Sequence, residues 1–190
     1  MASALVILAD GFEELEAVAV IDILRRADIK VVAAGLKDGQ ITSVRGVRII
    51  PDAALNAVRA MDFDMLVLPG GAPGTEALAK DERVKKIVVE MSEGGKYVTA
   101  ICAAPYVLSE AGILSDKKVT SHPGFQQKLT ARSVSASERV VVDGRIITSQ
   151  GAGTAVEFAL QLVATLVGKE RAGQISMSMV CEPEQGSKTA

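Results

Sequence analysis

Three side chains in this sequence suit nucleophilic or near-neutral proton chemistry by type alone: the cysteines Cys102 and Cys181 and the only histidine, His122. Cys102 has the more telling context. In Thr99-Ala100-Ile101-Cys102-Ala103-Ala104-Pro105 an apolar run enters a cysteine flanked by small residues, and a proline suited to a helix's first turn follows. That pattern resembles a nucleophile elbow with Cys in place of Ser. Small neighbours permit the sharp turn, and the amides and dipole of the following helix favour the thiolate, the reactive form. The competing reading is a buried cysteine acting as a small hydrophobe.

Acids come next. Asp10-Gly11-Phe12-Glu13-Glu14-Leu15-Glu16 places carboxyls at a loop and the first turn of a helix, where they ordinarily complement the dipole. Glu16, however, falls on one stripe with Val20, Ile23, Leu24 and Ala27 and is expected to point inward. A buried carboxyl tends to keep its proton and can donate it to a thiolate or a substrate atom, although the stripe alone fits a structural role equally well. Glu13 and Glu14 are assigned to solvent. In Leu68-Pro69-Gly70-Gly71 the paired glycines would let backbone amides approach a ligand as an oxyanion hole, or would simply make a tight turn. His122, in Ser121-His122-Pro123-Gly124, can serve as acid or base near neutral pH or be inert. The Ser149-Gln150-Gly151-Ala152-Gly153-Thr154 turn lacks GxGxxG and the P-loop lysine, so dinucleotides and nucleoside triphosphates are disfavoured. No Cys/His cluster has metal-ligand spacing, so no metal is expected.

The elements that must position these residues follow a βαβ rhythm. Ala4–Ala9, Lys30–Leu36, Asp64–Leu68, Tyr97–Ile101, Lys118–Ser121 and Arg145–Ser149 read as buried parallel strands. Glu13–Ala27, Leu78–Ser92, Ala103–Ala111 and Thr154–Val167 carry apolar residues at helical spacing. A three-layer α/β sandwich with a mostly parallel, doubly wound sheet is expected, its site at the carboxyl ends of the strands. Val44–Ile50 and Arg139–Asp143 read as short edge strands, the second turning through Asp143-Gly144 into its neighbour. One domain over residues 1–180 and a mobile polar tail over 181–190 complete the organisation.

Composition removes several classes of function. The 21 basic and 23 acidic residues give a net charge of −2, and six aromatics without tryptophan offer little for base stacking, so no stable nucleic-acid complex is expected. The longest uncharged stretch, Tyr97 to Ser109, contains Pro105 and falls short of the ~18–20 apolar residues a membrane helix needs. No membrane span and no signal peptide are expected, and a cytoplasmic location is the default. Two cysteines allow at most one disulfide, and lone thiols in a reducing compartment more often pack or react. Cys181 is read as structural.

Taken together, Glu13-Glu14-Leu15-Glu16, Leu-Pro-Gly-Gly, Ala-Ile-Cys-Ala-Ala-Pro, Ser-His-Pro and Thr148-Ser149-Gln150-Gly151 resemble the ThiJ/PfpI superfamily, in the branch containing the parkinsonism-associated deglycase. The resemblance runs from Ser3 to about Val180 and includes Arg25-Arg26, Pro51-Asp52 and Glu157-Phe158-Ala159-Leu160. It implies a flavodoxin-like fold, a homodimer, and no cofactor. It also implies an oxidation-sensitive nucleophile at Cys102, a protonated carboxyl at Glu16 and His122 close by. Gly70, Gly71 and the amide of Ala103 match the family's oxyanion pocket. Departures exist: Ala103 stands where the protease branch has histidine, Ala152 where relatives usually have proline, and Ser43 and Ile50 where some relatives carry further cysteines. The activity implied is a glutathione-independent glyoxalase that takes methylglyoxal or glyoxal to lactate or glycolate through a Cys102 hemithioacetal. Two alternatives stand beside it: a deglycase acting on glycated protein or nucleotide adducts, and a redox-sensing chaperone without turnover. The partner is thus a small reactive aldehyde or a glycated adduct, with Glu16 and His122 both open as the proton carrier.

Overall fold

A computed structural model describes residues 1–181; the tail expected over 181–190 lies outside the described residues apart from Cys181. The chain begins β1 (Ser3–Leu8), α1 (Glu14–Arg26), β2 (Lys30–Gly35), β3 (Ile41–Thr42), β4 (Arg48–Ile49), β5 (Ala53–Ala54) and β6 (Met65–Leu68). It continues through α2 (Ala72–Lys80), α3 (Glu82–Glu93), β7 (Tyr97–Ile101), α4 (Pro105–Glu110), β8 (Lys118–Val119) and α5 (Pro123–Gln126). The last elements are β9 (Ser133–Val134), β10 (Val140–Asp143), β11 (Ile146–Ser149), α6 (Ala155–Val167) and α7 (Lys169–Ser178).

Seven strands form one sheet in the order β10-β11-β7-β6-β1-β2-β5. All neighbours are parallel except β10, which runs antiparallel to β11 through the Asp143-Gly144 turn, with Gly144 at a left-handed φ of 62°. Alternation along β1 shows why both faces are buried. Ala4, Val6 and Leu8 join a core with α1, α6 and α7, while Leu5, Ile7 and Ala9 join the opposite core with α2, α3 and α4. This is the flavodoxin-like, helix-flanked sheet expected. No helix among the described residues is long and apolar enough to cross a membrane.

Three expectations need correcting. The continuous helix over Leu78–Ser92 is two helices, because Asp81 ends α2 with extended backbone and caps α3 by accepting the Arg83 amide at 2.9 Å. Lys118–Ser121 is no strand of the main sheet: only Lys118–Val119 pairs, in parallel with β9, in a separate two-stranded sheet. Val44–Ile50 contributes only β4, which pairs with β3 in a small hairpin rather than at the sheet edge.

Candidate active site

The β1–α1 connection places the carboxyl. Glu13 caps α1 by accepting the Glu16 amide at 2.9 Å, and its own amide donates to the Gly70 carbonyl at 2.8 Å, which ties this turn to the one after β6. Glu16 then lies on the buried face of α1 and is 0% exposed. Its Oε2 accepts the Gly70 amide at 2.7 Å, whereas its Oε1 has no hydrogen-bond partner. Glu13 and Glu14 are half-buried rather than solvent-facing, and Glu14 Oε2 is itself sealed without a partner. Leu15 takes the exposed position instead, because it lies off the apolar stripe.

The glycine turn permits the approach. A Cβ on Gly70 would stand 2.6 Å from the Cys102 Cβ and 2.7 Å from Glu16 Oε2, so only glycine lets the carboxyl and the cysteine meet. Gly71 has φ +92°, and a Cβ there would run into the Gly11 and Glu13 backbone.

Cys102 itself sits at φ +65°, a left-handed conformation that costs a residue with a Cβ about 1–2 kcal/mol. Two backbone bonds hold it there: its amide donates to the Ser149 carbonyl at 2.9 Å, and its carbonyl accepts the His122 amide at 2.8 Å. The second bond brings His122 to the site although β8 lies outside the main sheet. The His122 side chain is exposed and caps α5, its Nδ1 accepting the Gly124 amide at 3.2 Å. A neutral ring so held carries its proton on Nε2 and presents a donor.

The electrostatics bear on the thiolate expectation. Burial pushes the Glu16 carboxyl from its ordinary 4.5 up to about 7, and the Gly70 amide opposes that rise. Burial, then the negative charge of Glu16, pushes the Cys102 thiol up to about 12, against the amides of Gly71 and Ala103, which stabilise the sulfur's charged form. Burial and the neighbouring carboxyl therefore act against the thiolate that the helix start and the Gly71 and Ala103 amides favour. The helix after Cys102 has only six residues, too short to outweigh desolvation and a neighbouring carboxylate. Thiol and carboxyl act on each other's protonation, and Oε1 has no hydrogen-bond partner. They form a coupled pair whose carboxyl, raised by burial, keeps its proton up to about 7.

Cys102, Glu16, His122, Gly70, Gly71 and Ala103 thus converge as their sequence positions suggested. Gly151 was missed: a Cβ there would stand 3.8 Å from Cys102 Sγ and 3.7 Å from His122 Cδ2. Its position just after a strand of the sheet was the available signal. Among the described residues no cluster of three His, Cys, Asp or Glu could hold a metal ion.

Comparison with known proteins bears on the family and the fold. Protein dj-1beta of Drosophila melanogaster is 42% identical over 180 residues, spanning 94% of this chain and 96% of that protein. The crystal structure of that DJ-1beta superposes with a TM-score of 0.92 over 96% of this chain and 99% of its own. Glutathione-independent glyoxalase DJR-1.2 of Caenorhabditis elegans is 37% identical over 91% of this chain and 93% of its own length. Residues 2–165 match the DJ-1/PfpI family as a whole, and the chain belongs to that family.

Proposed function

We propose that the chain is a glutathione-independent glyoxalase that converts methylglyoxal or glyoxal to lactate or glycolate. The observation that carries this reading is the solvent-excluded Glu16 carboxyl, one oxygen locked by the Gly70 amide and the other unpartnered beside Cys102. The relative named as a glyoxalase supports it.

The coupled pair suits the chemistry. Sγ bonds to the aldehyde carbon as the thiol proton passes to Glu16, so the nucleophile is activated at attack rather than stored as a thiolate. The oxygen that gains charge accepts hydrogen bonds from the Gly71 and Ala103 amides, then takes the proton from Glu16 to give a neutral hemithioacetal. Glu16, again a carboxylate, removes the hydrogen of that carbon and returns a proton to the adjacent one, while the hydroxyl proton of the first carbon passes to the second carbonyl oxygen. The result is a thioester of the hydroxy acid. Water cleaves it, releasing lactate or glycolate and restoring the thiol, so the net reaction adds one water and needs no redox partner. His122, with its proton on Nε2, donates to the second carbonyl oxygen and leaves base work to Glu16.

Incubation with methylglyoxal in the absence of glutathione, with lactate quantified, tests the reading. Lactate should form with the parent chain and not with Cys102→Ser. Equal yields from both would sink it.

We also propose that a second copy seats on the outer face of α1 and the neighbouring β3–β4 hairpin, where Leu15, Val18, Val47 and Ile50 are exposed. A monomeric mass by light scattering contradicts that pairing.

A further inference from the structure

We propose that Ser149 and Thr154 are positioning residues for Cys102: their buried hydroxyl pair fastens the Gly151 turn and the end of β11 against the cysteine elbow. The inference rests on Cys102 as the reacting group of the proposed function, and its test needs no aldehyde.

A left-handed cysteine relaxes unless its surroundings hold it. The Cys102 amide is anchored on the Ser149 carbonyl at 2.9 Å, in the register that sets Ser149 beside Ile101. The Ser149 hydroxyl lies 2.8 Å from the Arg139 carbonyl and 2.6 Å from the Thr154 hydroxyl. Thr154 Oγ1 accepts the Gly151 amide at 3.1 Å and lies 2.8 Å from the Gly151 carbonyl, which also accepts the Thr154 amide at 2.7 Å. Ser149 is fully buried and Thr154 nearly so.

Two hydroxyls bring two protons. One arrangement sends Ser149 to the Arg139 carbonyl and Thr154 to Ser149. The other sends Thr154 to the Gly151 carbonyl and Ser149 to Thr154. Either way each hydroxyl depends on the other, so removing one leaves a buried group unmatched. Arg139 braces the outside of the same turn, donating to the Gly153 carbonyl at 2.7 Å and pairing with Glu157 at 2.6 Å. The hydroxyl pair therefore links a strand end and a braced loop whose Gly151 faces both Cys102 Sγ and the His122 ring.

Positioning has a readout that plain stability does not move. If the pair holds Sγ against Glu16, alkylation of Cys102 reports its coupling to that carboxyl, and loosening the turn lets the thiol titrate more like an ordinary cysteine. The groups acting on the thiol proton are Glu16, with Glu13 adding charge beside it, and the Gly71 and Ala103 amides. His122 lies against the same turn. The experiment measures iodoacetamide alkylation across pH by mass spectrometry in the whole chain, with Cys181 as internal reference. Thr154→Val should move the Cys102 midpoint downward, toward that of an ordinary cysteine, and speed its alkylation at neutral pH by about tenfold for each unit the midpoint falls. Cys181 should be unchanged, and Thr154→Ser should restore both values. Should Thr154→Val fail to fold, Ser149→Ala gives the same readout. A folded variant that keeps the parent rate and midpoint at Cys102 overturns the proposal.

Discussion

Glu16 and His122 both follow a strand and both reach Cys102, yet they are opposite kinds of group. Glu16 sits on the apolar stripe of α1 with no exposed surface, and burial moves its carboxyl to about 7. His122 stands in solvent at the head of a four-residue helix, with one ring nitrogen occupied by the Gly124 amide. Arrival at the carboxyl edge of a sheet brings a residue to the chemistry. The face it occupies on its own element decides whether its protonation is altered there.

Replacing each group in turn sharpens that contrast. Glu16→Gln should cut kcat/KM for lactate formation by about 10²–10⁴-fold, the usual contribution of a positioned acid–base group. It should also stabilise the fold. The sign follows from the raised value: the contribution of Glu16 to stability is fully present below 4.5 and is lost as pH rises through about 7, because the folded chain resists releasing that proton. The displacement corresponds to about 3 kcal/mol above pH 7, most of which a neutral amide recovers. Thermal melts of parent and variant should therefore converge at acidic pH and separate in favour of Glu16→Gln at alkaline pH. Equal melts at both ends would remove the buried charge from the account.

Gly70→Ala comes next. Its Cβ would meet both Cys102 and Glu16, so the pair must separate, with a stability loss of about 1–3 kcal/mol in denaturant titration and a fall in turnover. His122→Asn should do least, lowering turnover by about tenfold or less while leaving the pH midpoint near 7 in place, because an exposed donor is partly replaced by water. A loss as deep as that of Glu16→Gln would reverse the assignment of roles.

The parts of this site that were legible in the sequence are those governed by local pattern. The stripe through Val20, Ile23 and Leu24 predicts the burial of Glu16, and the small residues around Cys102 predict the elbow. The sheet was legible because β1, β2, β6 and β7 are continuous apolar runs. α7 was not, because it buries only Ala172 and Ile175 and leaves little periodicity to read. Tertiary proximity was equally hidden. At Cys102 the local sequence shows the helix start that favours a thiolate but not the buried carboxyl across the glycine turn that opposes it. Gly151 and the Ser149–Thr154 hydroxyls escaped because their meaning lies in a hydrogen-bonded loop, and no motif of known phosphate chemistry marks it.

The central claim is that burial beside Cys102 lets the Glu16 carboxyl keep its proton up to about pH 7. The most direct measurement is a titration of the Glu16 side-chain carboxyl carbon by nuclear magnetic resonance, assigned by its disappearance in Glu16→Gln. A midpoint near 7, moving when Cys102 is replaced by serine, is the predicted result. A midpoint at the ordinary 4.5, unmoved by that replacement, would contradict it.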